Sequence, residues 1–245
     1  MDLTLCSGVV RSGSTWAFNV CRLLNQLKAE QLGRPHESHF RDTRSLELTL
    51  KQINQPDNQT IYTIKTHTIT QNVIDFLINH NIKNVCTLRD PRDCVASEFL
   101  FHQESIEAAV TKVLNTIKFL AVYVQIGNVL FIRYENMIKD PKQYIKIIAN
   151  YLDIVCDDKV INYIYEQTNI EKSKQISEQL TSQPKDTFRQ EGNDYVDKKT
   201  YLHTGHVQGG QVGRWQTDLT TEQQAYVNAQ LKPWLDLLGY CGFVI

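Results

Sequence analysis

Apolar residues along this chain follow two patterns: short unbroken runs, and longer stretches in which they return every third or fourth position. Leu3–Cys6 is a short run that turns at Ser7-Gly8. From Thr15, the residues Trp16, Val20, Leu23, Leu24 and Leu27 have helical spacing. A second run at Tyr62–Lys65 precedes a helical pattern over Asn72–Asn79. A third, Asn84–Leu88, leads into Arg89-Asp90-Pro91-Arg92-Asp93, where Asp93 is placed to cap a helix through Phe101. Ser105 is placed to cap a long helix with the stripe Ile106, Ala109, Val110, Val113, Leu114, Ile117, Leu120, Ala121 and Val124. A fourth run, Asn128–Ile132, precedes a helix over Pro141–Leu152. This alternation predicts an α/β fold, a parallel sheet with helices on both faces. After about residue 157 the strand pattern stops. Helices are expected over Lys159–Gln167 and Thr221–Leu238, separated by a polar stretch from Ser177 to Gly213. A connection that long is usually functional or disordered. The expectation is a single domain over 1–245, with a sheet core over 1–156 and a helical C-terminal extension over 157–245.

Composition narrows the class of function. The 245 residues are 42% hydrophobic and 22% charged, close to globular averages. A chain of this length can bury a core without disulfides or a structural metal. The net charge of -1 argues against a protein that coats nucleic acid, while leaving room for a local positive pocket. Phe119–Ile132, the longest apolar candidate for a membrane span, is broken by Gln125, Gly127 and Asn128 and is shorter than a span needs. Met1-Asp2-Leu3-Thr4 lacks a basic leader. The six cysteines have no CxxC spacing, and several sit in apolar runs. A cytoplasmic protein without a cysteine zinc site is expected.

The candidate chemistry begins where the first strand ends. Gly8-Val9-Val10-Arg11-Ser12-Gly13-Ser14-Thr15 follows the phosphate-loop frame GxxxxGK[ST], except that Ser14 replaces the lysine. Backbone N–H groups and a helix N-terminus can still bind an anion. The lysine that neutralises a triphosphate is missing, and Arg11 restores a cation inside the loop. An ordinary Gly/Ser turn would account for the same residues. Two later strands end in Arg89 and Arg133, where a nucleotide–metal enzyme would want an aspartate. Arginines there favour a second anion site without metal. Asp90 keeps a metal role open, and Arg89 has a structural alternative as the salt-bridge partner of Asp90 or Asp93.

These residues, taken in order, resemble the sulfotransferases that use 3′-phosphoadenosine 5′-phosphosulfate (PAPS). Arg11-Ser12-Gly13-Ser14-Thr15-Trp16 resembles the family's 5′-phosphosulfate loop. Arg89-Asp90-Pro91-Arg92-Asp93-Cys94-Val95-Ala96-Ser97 is similar to its 3′-phosphate motif, with Arg and Ser eight residues apart. Arg133-Tyr134-Glu135-Asn136-Met137 with Asp140-Pro141 matches a third segment, and Lys65-Thr66-His67 resembles the segment that carries the family's catalytic base. Gly210-Gln211-Val212-Gly213-Arg214-Trp215 is similar to its lid. Any one match is weak, but five in register are strong.

The resemblance implies a P-loop-type fold with a lid within about 177–213, PAPS as donor and its product PAP, and no metal. Arg11, Ser12, Gly13, Ser14 and Thr15 would cradle the 5′-phosphosulfate, and Arg89 and Ser97 would grip the 3′-phosphate. Trp16 would stack on adenine, with Tyr134 and Thr168 near the nucleotide and Gly209 and Gly210 in the lid. His67 would be the base, beside Lys65 and Arg11; His203 and His206, in the lid segment, would contact substrate or solvent rather than do chemistry. An exposed turn is the alternative for His67, and a surface strand end for Lys65. The chain departs from the family at Gln208-Gly209, where an Arg-Lys pair is usual, and at Arg11, a planar fork in place of a point charge. The dimerisation motif of animal members is not apparent, and Trp234–Tyr240 resembles bacterial members.

The activity so implied is sulfuryl transfer to a hydroxyl or nitrogen of a small-molecule acceptor, without nucleic-acid or membrane partners. The size, the tail and the Gln/Asn content fit bacterial specialised metabolism, cyanobacterial included, with a saxitoxin-type alkaloid as one acceptor. A P-loop kinase or nucleotide hydrolase is the related alternative, against which Ser14 weighs. A non-catalytic adenine-nucleotide-binding module is the alternative of a different class.

Overall fold

The computed structural model describes residues 2–55, 58–192, 194–205, 207 and 209–240. The first half of the chain runs β1 (Asp2–Gly8), α1 (Ser14–Leu32), β2 (His36–Phe40), α2 (Thr43–Ile53), β3 (Ile61–Lys65), α3 (Gln71–Asn79), β4 (Lys83–Leu88) and α4 (Pro91–His102). It continues through α5 (Ile106–Ile117), α6 (Phe119–Ile126), β5 (Val129–Arg133), α7 (Tyr134–Met137), α8 (Pro141–Tyr151), α9 (Asp158–Thr168) and α10 (Ile170–Glu178). A hairpin of β6 (Phe188–Glu191) and β7 (Asp194–Asp197) precedes α11 (Trp215–Asp218) and α12 (Thr221–Leu238). The sheet has five strands in the order β2-β3-β1-β4-β5. All its pairings are parallel, with Cys6 beside Lys65 and Leu88 beside Arg133. The carboxyl ends of the strands therefore share one edge, where ligands of open parallel sheets bind.

Side-chain alternation along the strands builds a core on each face. Leu3, Leu5, Tyr62, Ile64, Cys86 and Leu88 face a cluster with α2, α3, α5 and α12. Cys6, Val85 and Ile132 face the opposite cluster, with α1, α8 and α9. Thr4 and Thr63 point to that second face, where Asn25 of α1 donates to both hydroxyls at 2.9 Å. The same two-residue period carries Lys65 to the α1 side at the functional edge.

The four expected strands form, and the structure adds elements that the pattern did not mark, the helices α2 and α10 among them. The polar segment His36-Glu37-Ser38-His39-Phe40 forms β2, an edge strand paired only with β3. An edge strand with no fully buried position needs no apolar run, so hydropathy gives no signal there. Strands also do not stop after 157: β6 and β7 form an antiparallel hairpin inside the polar stretch. The expected long helix is two, meeting at Lys118. Leu120 is buried as expected, but the change of phase there leaves Ala121 and Val124 exposed and buries Tyr123 and Ile126 instead. Ile106–Ile126 is long and apolar enough to cross a membrane by length and composition, but 44% of it is buried against this core.

One local expectation changes at α4. Its cap is Asp90, which accepts from the Arg92 N–H at 2.9 Å, and Pro91 takes the first helical position. Asp93 is thereby released from capping. Ser105 does cap α5, accepting from the Ala108 N–H at 3.2 Å.

Candidate functional site

A cavity of about 500 Å³ opens at the carboxyl edge of the sheet. One wall is the turn between β1 and α1. Arg11 and Gly13 adopt left-handed backbone there, with φ of 62° and 86°. At Gly13 a side chain is excluded on space as well, since a Cβ would fall 2.9 Å from the Tyr134 ring. The Ser12 hydroxyl turns inward to the Val9 carbonyl at 2.6 Å and the Thr87 hydroxyl at 2.7 Å, locking the loop onto β4. Gly13 offers no side-chain cap to α1, so the first turn of that 19-residue helix meets the cavity with its N–H groups uncapped by a side chain. An anion is favoured there by those donors and by the helix dipole.

The end of β3 supplies the next two groups. Lys65 Nζ donates to the Thr15 hydroxyl at 2.8 Å. Burial, aided by the nearby Arg11 charge, pushes the Lys65 ammonium down to about 8. His67 Nδ1 lies 2.9 Å from the Gly8 carbonyl oxygen. Burial, then the Lys65 charge, pushes this imidazole down to about 3, so it is neutral at pH 7.

Arg89, Asp93, Ser97 and Phe101 follow one another at four-residue intervals, which places the last three on one face of α4. Arg11 Nε donates to the Ser97 hydroxyl at 3.0 Å, and its guanidinium lies 4.3 Å from the Phe101 ring centroid. Burial pushes Arg11 down to about 10, with the Glu98 charge opposing and the Arg89 and Arg214 charges adding. Arg89 lies 4.3 Å over Tyr134 and donates to Asp93 at 3.2 Å. Its buried Nε has no hydrogen-bond partner among the described residues. Arg11, Lys65, Arg89 and Arg214 thus line one desolvated site. Carboxylates already face three of them, Asp93 at Arg89, Glu98 at Arg11 and Asp218 at Arg214, and the buried Lys65 ammonium adds positive charge that suits an anion.

The structure brings together nearly all the residues singled out from the sequence. Arg11, Gly13, Ser14, Thr15, Trp16, Lys65, His67, Arg89, Ser97, Tyr134, Thr168 and Gly210 line the cavity; Ser12 and Gly209 do not. His206 and Gln208 lie outside the described residues. Lys65 is no surface strand end, because it is only 5% exposed. The Arg89–Asp93 salt bridge does form, within the cavity wall. Arg133 is corrected: it donates to the Leu238 carbonyl at 2.5 Å and packs on Tyr240, docking the C-terminal helix instead of binding an anion. The metal role left open for Asp90 finds no support, because its carboxylate is gripped by Arg92 at 2.7–3.2 Å.

Sequence reasoning missed the opposite wall. Glu98, Phe101 and His102 come from the end of α4, and Arg189 and Tyr201 from the hairpin and the chain after it, beside His203, which the sequence had placed near substrate or solvent. Phe40, on the overlooked edge strand, lies between His67 and Tyr201, with ring centroids 6.2 and 6.1 Å away. The four-residue repeat from Arg89 to Phe101 was a usable signal for the first group. The second depends on a hairpin that hydropathy does not mark.

With this geometry in hand, known proteins offer a comparison. A model of the sulfotransferase domain matches residues 2–239, and the chain belongs to that family of enzymes. A structure of retinol dehydratase in complex with androsterone and inactive cofactor PAP is 17% identical, with a TM-score of 0.64 over 96% of this chain and 80% of that one. A mouse sulfotransferase, SULT7A1, complexed with PAP is 19% identical, with a TM-score of 0.63 over 96% of this chain and 84% of the other. A second retinol dehydratase structure, with retinol and PAP, is 18% identical, with a TM-score of 0.65 over 96% and 81% of the two chains. At these identities the likeness is one of fold.

Proposed function

We propose that this chain transfers a sulfuryl group from PAPS to a hydroxyl or nitrogen of a small-molecule acceptor, with His67 taking the acceptor proton. The observation that carries this reading is the placement of His67 beside the phosphate loop. A carbonyl oxygen can only accept, so the contact with Gly8 puts the ring proton on Nδ1 and leaves the lone pair on Nε2. That nitrogen belongs to a residue lining the same cavity as the uncapped α1 terminus, Lys65 and Arg11.

The fit to the donor rests on charge and on open donors. The α1 terminus and Lys65 suit the 5′-phosphosulfate; Arg89, with a buried Nε free to donate, and Ser97 suit the 3′-phosphate. Trp16 is available to stack on adenine, with Thr168 and Tyr134 alongside. In the reaction the acceptor lone pair forms the new bond to sulfur. The bond from sulfur to the bridging oxygen breaks, PAP departs with that electron pair, and Nε2 of His67 receives the proton. Loop N–H groups, Lys65 and Arg11 stabilise charge building on the bridging oxygen. No step calls for a metal.

Titration calorimetry with PAP, beside ATP with magnesium, tests the donor assignment. PAP should bind at least tenfold tighter, and with EDTA present. A preference for ATP with magnesium would overturn the reading in favour of a kinase or hydrolase. Tight PAP binding without sulfuryl transfer to any of a panel of phenols, alcohols and amines would favour the binding module.

A further inference from the structure

A buried carboxylate beside a phosphate site calls for explanation, because it should repel the ligand that the site is built to hold. Asp93 is fully buried, with a side-chain exposure of 0%, in the first turn of α4. Its Oδ2 accepts from the Gly213 N–H at 2.8 Å and from Arg89 Nη2 at 3.2 Å, and its Oδ1 accepts from the Trp215 N–H at 3.1 Å. Two of those donors are backbone groups of the segment 210–215, more than a hundred residues downstream. Arg89 is tied to the same segment, since its Nη2 also donates to the Gln211 carbonyl at 2.5 Å. Its Nη1 reaches the Arg11 carbonyl of the phosphate loop at 3.3 Å. Next to Asp93, the Arg92 guanidinium lies 4.1 Å from the Trp215 ring centroid, so that end of the segment is held by a side chain as well.

We infer that Asp93 is a positioning residue that builds the Arg89 phosphate site and the 210–215 lid as one preformed unit. The inference rests on the PAPS reading for its ligand but not for the latch itself. Glycine supports the arrangement: Gly213 has φ of 79°, the left-handed backbone that turns its N–H toward α4. The Arg89–Asp93 pair is close to neutral. Affinity for the phosphate then comes from aimed donors, the Arg89 Nε–H among them, more than from the net charge of the pair. With Asp93 in place, Arg89 loses little rotamer freedom when ligand binds.

Asp93→Asn separates this role from electrostatics, because the two predict opposite signs. Removing a negative charge next to a phosphate should by itself tighten PAP. Loss of the latch should weaken it, since an amide cannot pair with Arg89 or accept from both lid amides as the carboxylate does. The expected result is a PAP dissociation constant raised about tenfold or more, with faster hydrogen exchange across 210–215 and unchanged exchange in α1. Unchanged or tighter PAP binding with unchanged lid exchange would overturn the proposal. Should the variant not fold, the ligand-free parent still decides. The Gly213 and Trp215 amides should be as protected as those of mid-α4, and exchange at the rate of an open loop would sink the latch. A parent that fails to bind PAP, yet shows a protected lid, would count against the donor assignment and leave the latch standing.

Discussion

Lys65 Nζ sits 2.8 Å from the hydroxyl of Thr15, tying the end of β3 to the first turn of α1 at the phosphate loop. One ammonium thereby joins two elements whose contacting residues are 50 positions apart in the chain. Its environment also sets a pH limit. Burial and the Arg11 charge bring Lys65 down to about 8, within reach of ordinary assay conditions.

Donor affinity should consequently fall on the alkaline side. Below pH 8 Lys65 is charged in the free protein, and binding an anion raises its pKa further. Above pH 8 binding must first draw a proton from solution, so the PAP dissociation constant rises by up to about tenfold per pH unit until the pKa of the complex is reached. Calorimetry from pH 7 to 9.5 checks this, with Lys65→Arg expected to flatten the curve. A parent curve flat to pH 9.5 would show that Lys65 does not sense the ligand.

The proton step gives a kinetic expectation. His67→Ala should lower the single-turnover transfer rate by roughly 10²–10⁴-fold while PAP binding stays near the parent value. Because burial keeps this imidazole at about 3 in the free protein, the acid limb of kcat/KM should lie well below pH 6.5. Transfer by the variant within about threefold of the parent would make His67 a bystander.

For the 3′-phosphate, Arg89→Ala should weaken PAPS by about 2–4 kcal/mol, the cost of losing a charge-assisted contact at a buried site. Adenosine 5′-phosphosulfate lacks that phosphate, so the variant should bind the two nucleotides almost equally. Competition binding against both measures the discrimination directly. Strong residual preference for PAPS would remove Arg89 from the phosphate contact.

Acid stability should carry a histidine signature. His36 is held down to about 4 and His67 to about 3, each chiefly by burial, against an ordinary value near 6.5. As pH falls below 6.5 the unfolded chain takes up these protons before the folded one, so stability drops between about pH 6.5 and 4. Above pH 6.5 neither group contributes a slope. Urea midpoints at pH 7, 6 and 5 should fall in that order, and more shallowly in His36→Asn/His67→Asn. An equal fall in the double variant would assign the slope to other groups.

Much of this protein was legible in the order of its residues. The runs at Leu3–Cys6, Tyr62–Lys65 and Asn84–Leu88 mark strands buried on both faces, where most side chains are apolar or small, and Asn128–Ile132 marks the half-exposed edge strand β5. The glycines of the first turn mark a loop that needs left-handed backbone, and Arg89 and His67 lie just past strand ends that a parallel sheet must bring to one edge. Those are local or topological constraints, and a sequence carries them directly. The fate of each charge was another matter. Arg89 and Arg133 end neighbouring strands in similar contexts, yet one lines the cavity while the other binds the Leu238 carbonyl beneath α12. Asp90 took the capping role expected of Asp93, and Asp93 turned to Arg89 and to lid amides that come from residues 213 and 215. The edge strand with Phe40 and the hairpin before His203 lie partly in solvent, so their polar sequences satisfy the fold without advertising it. Which polar groups meet across the cavity depends on contacts between residues far apart in the chain, and only tertiary packing decides those.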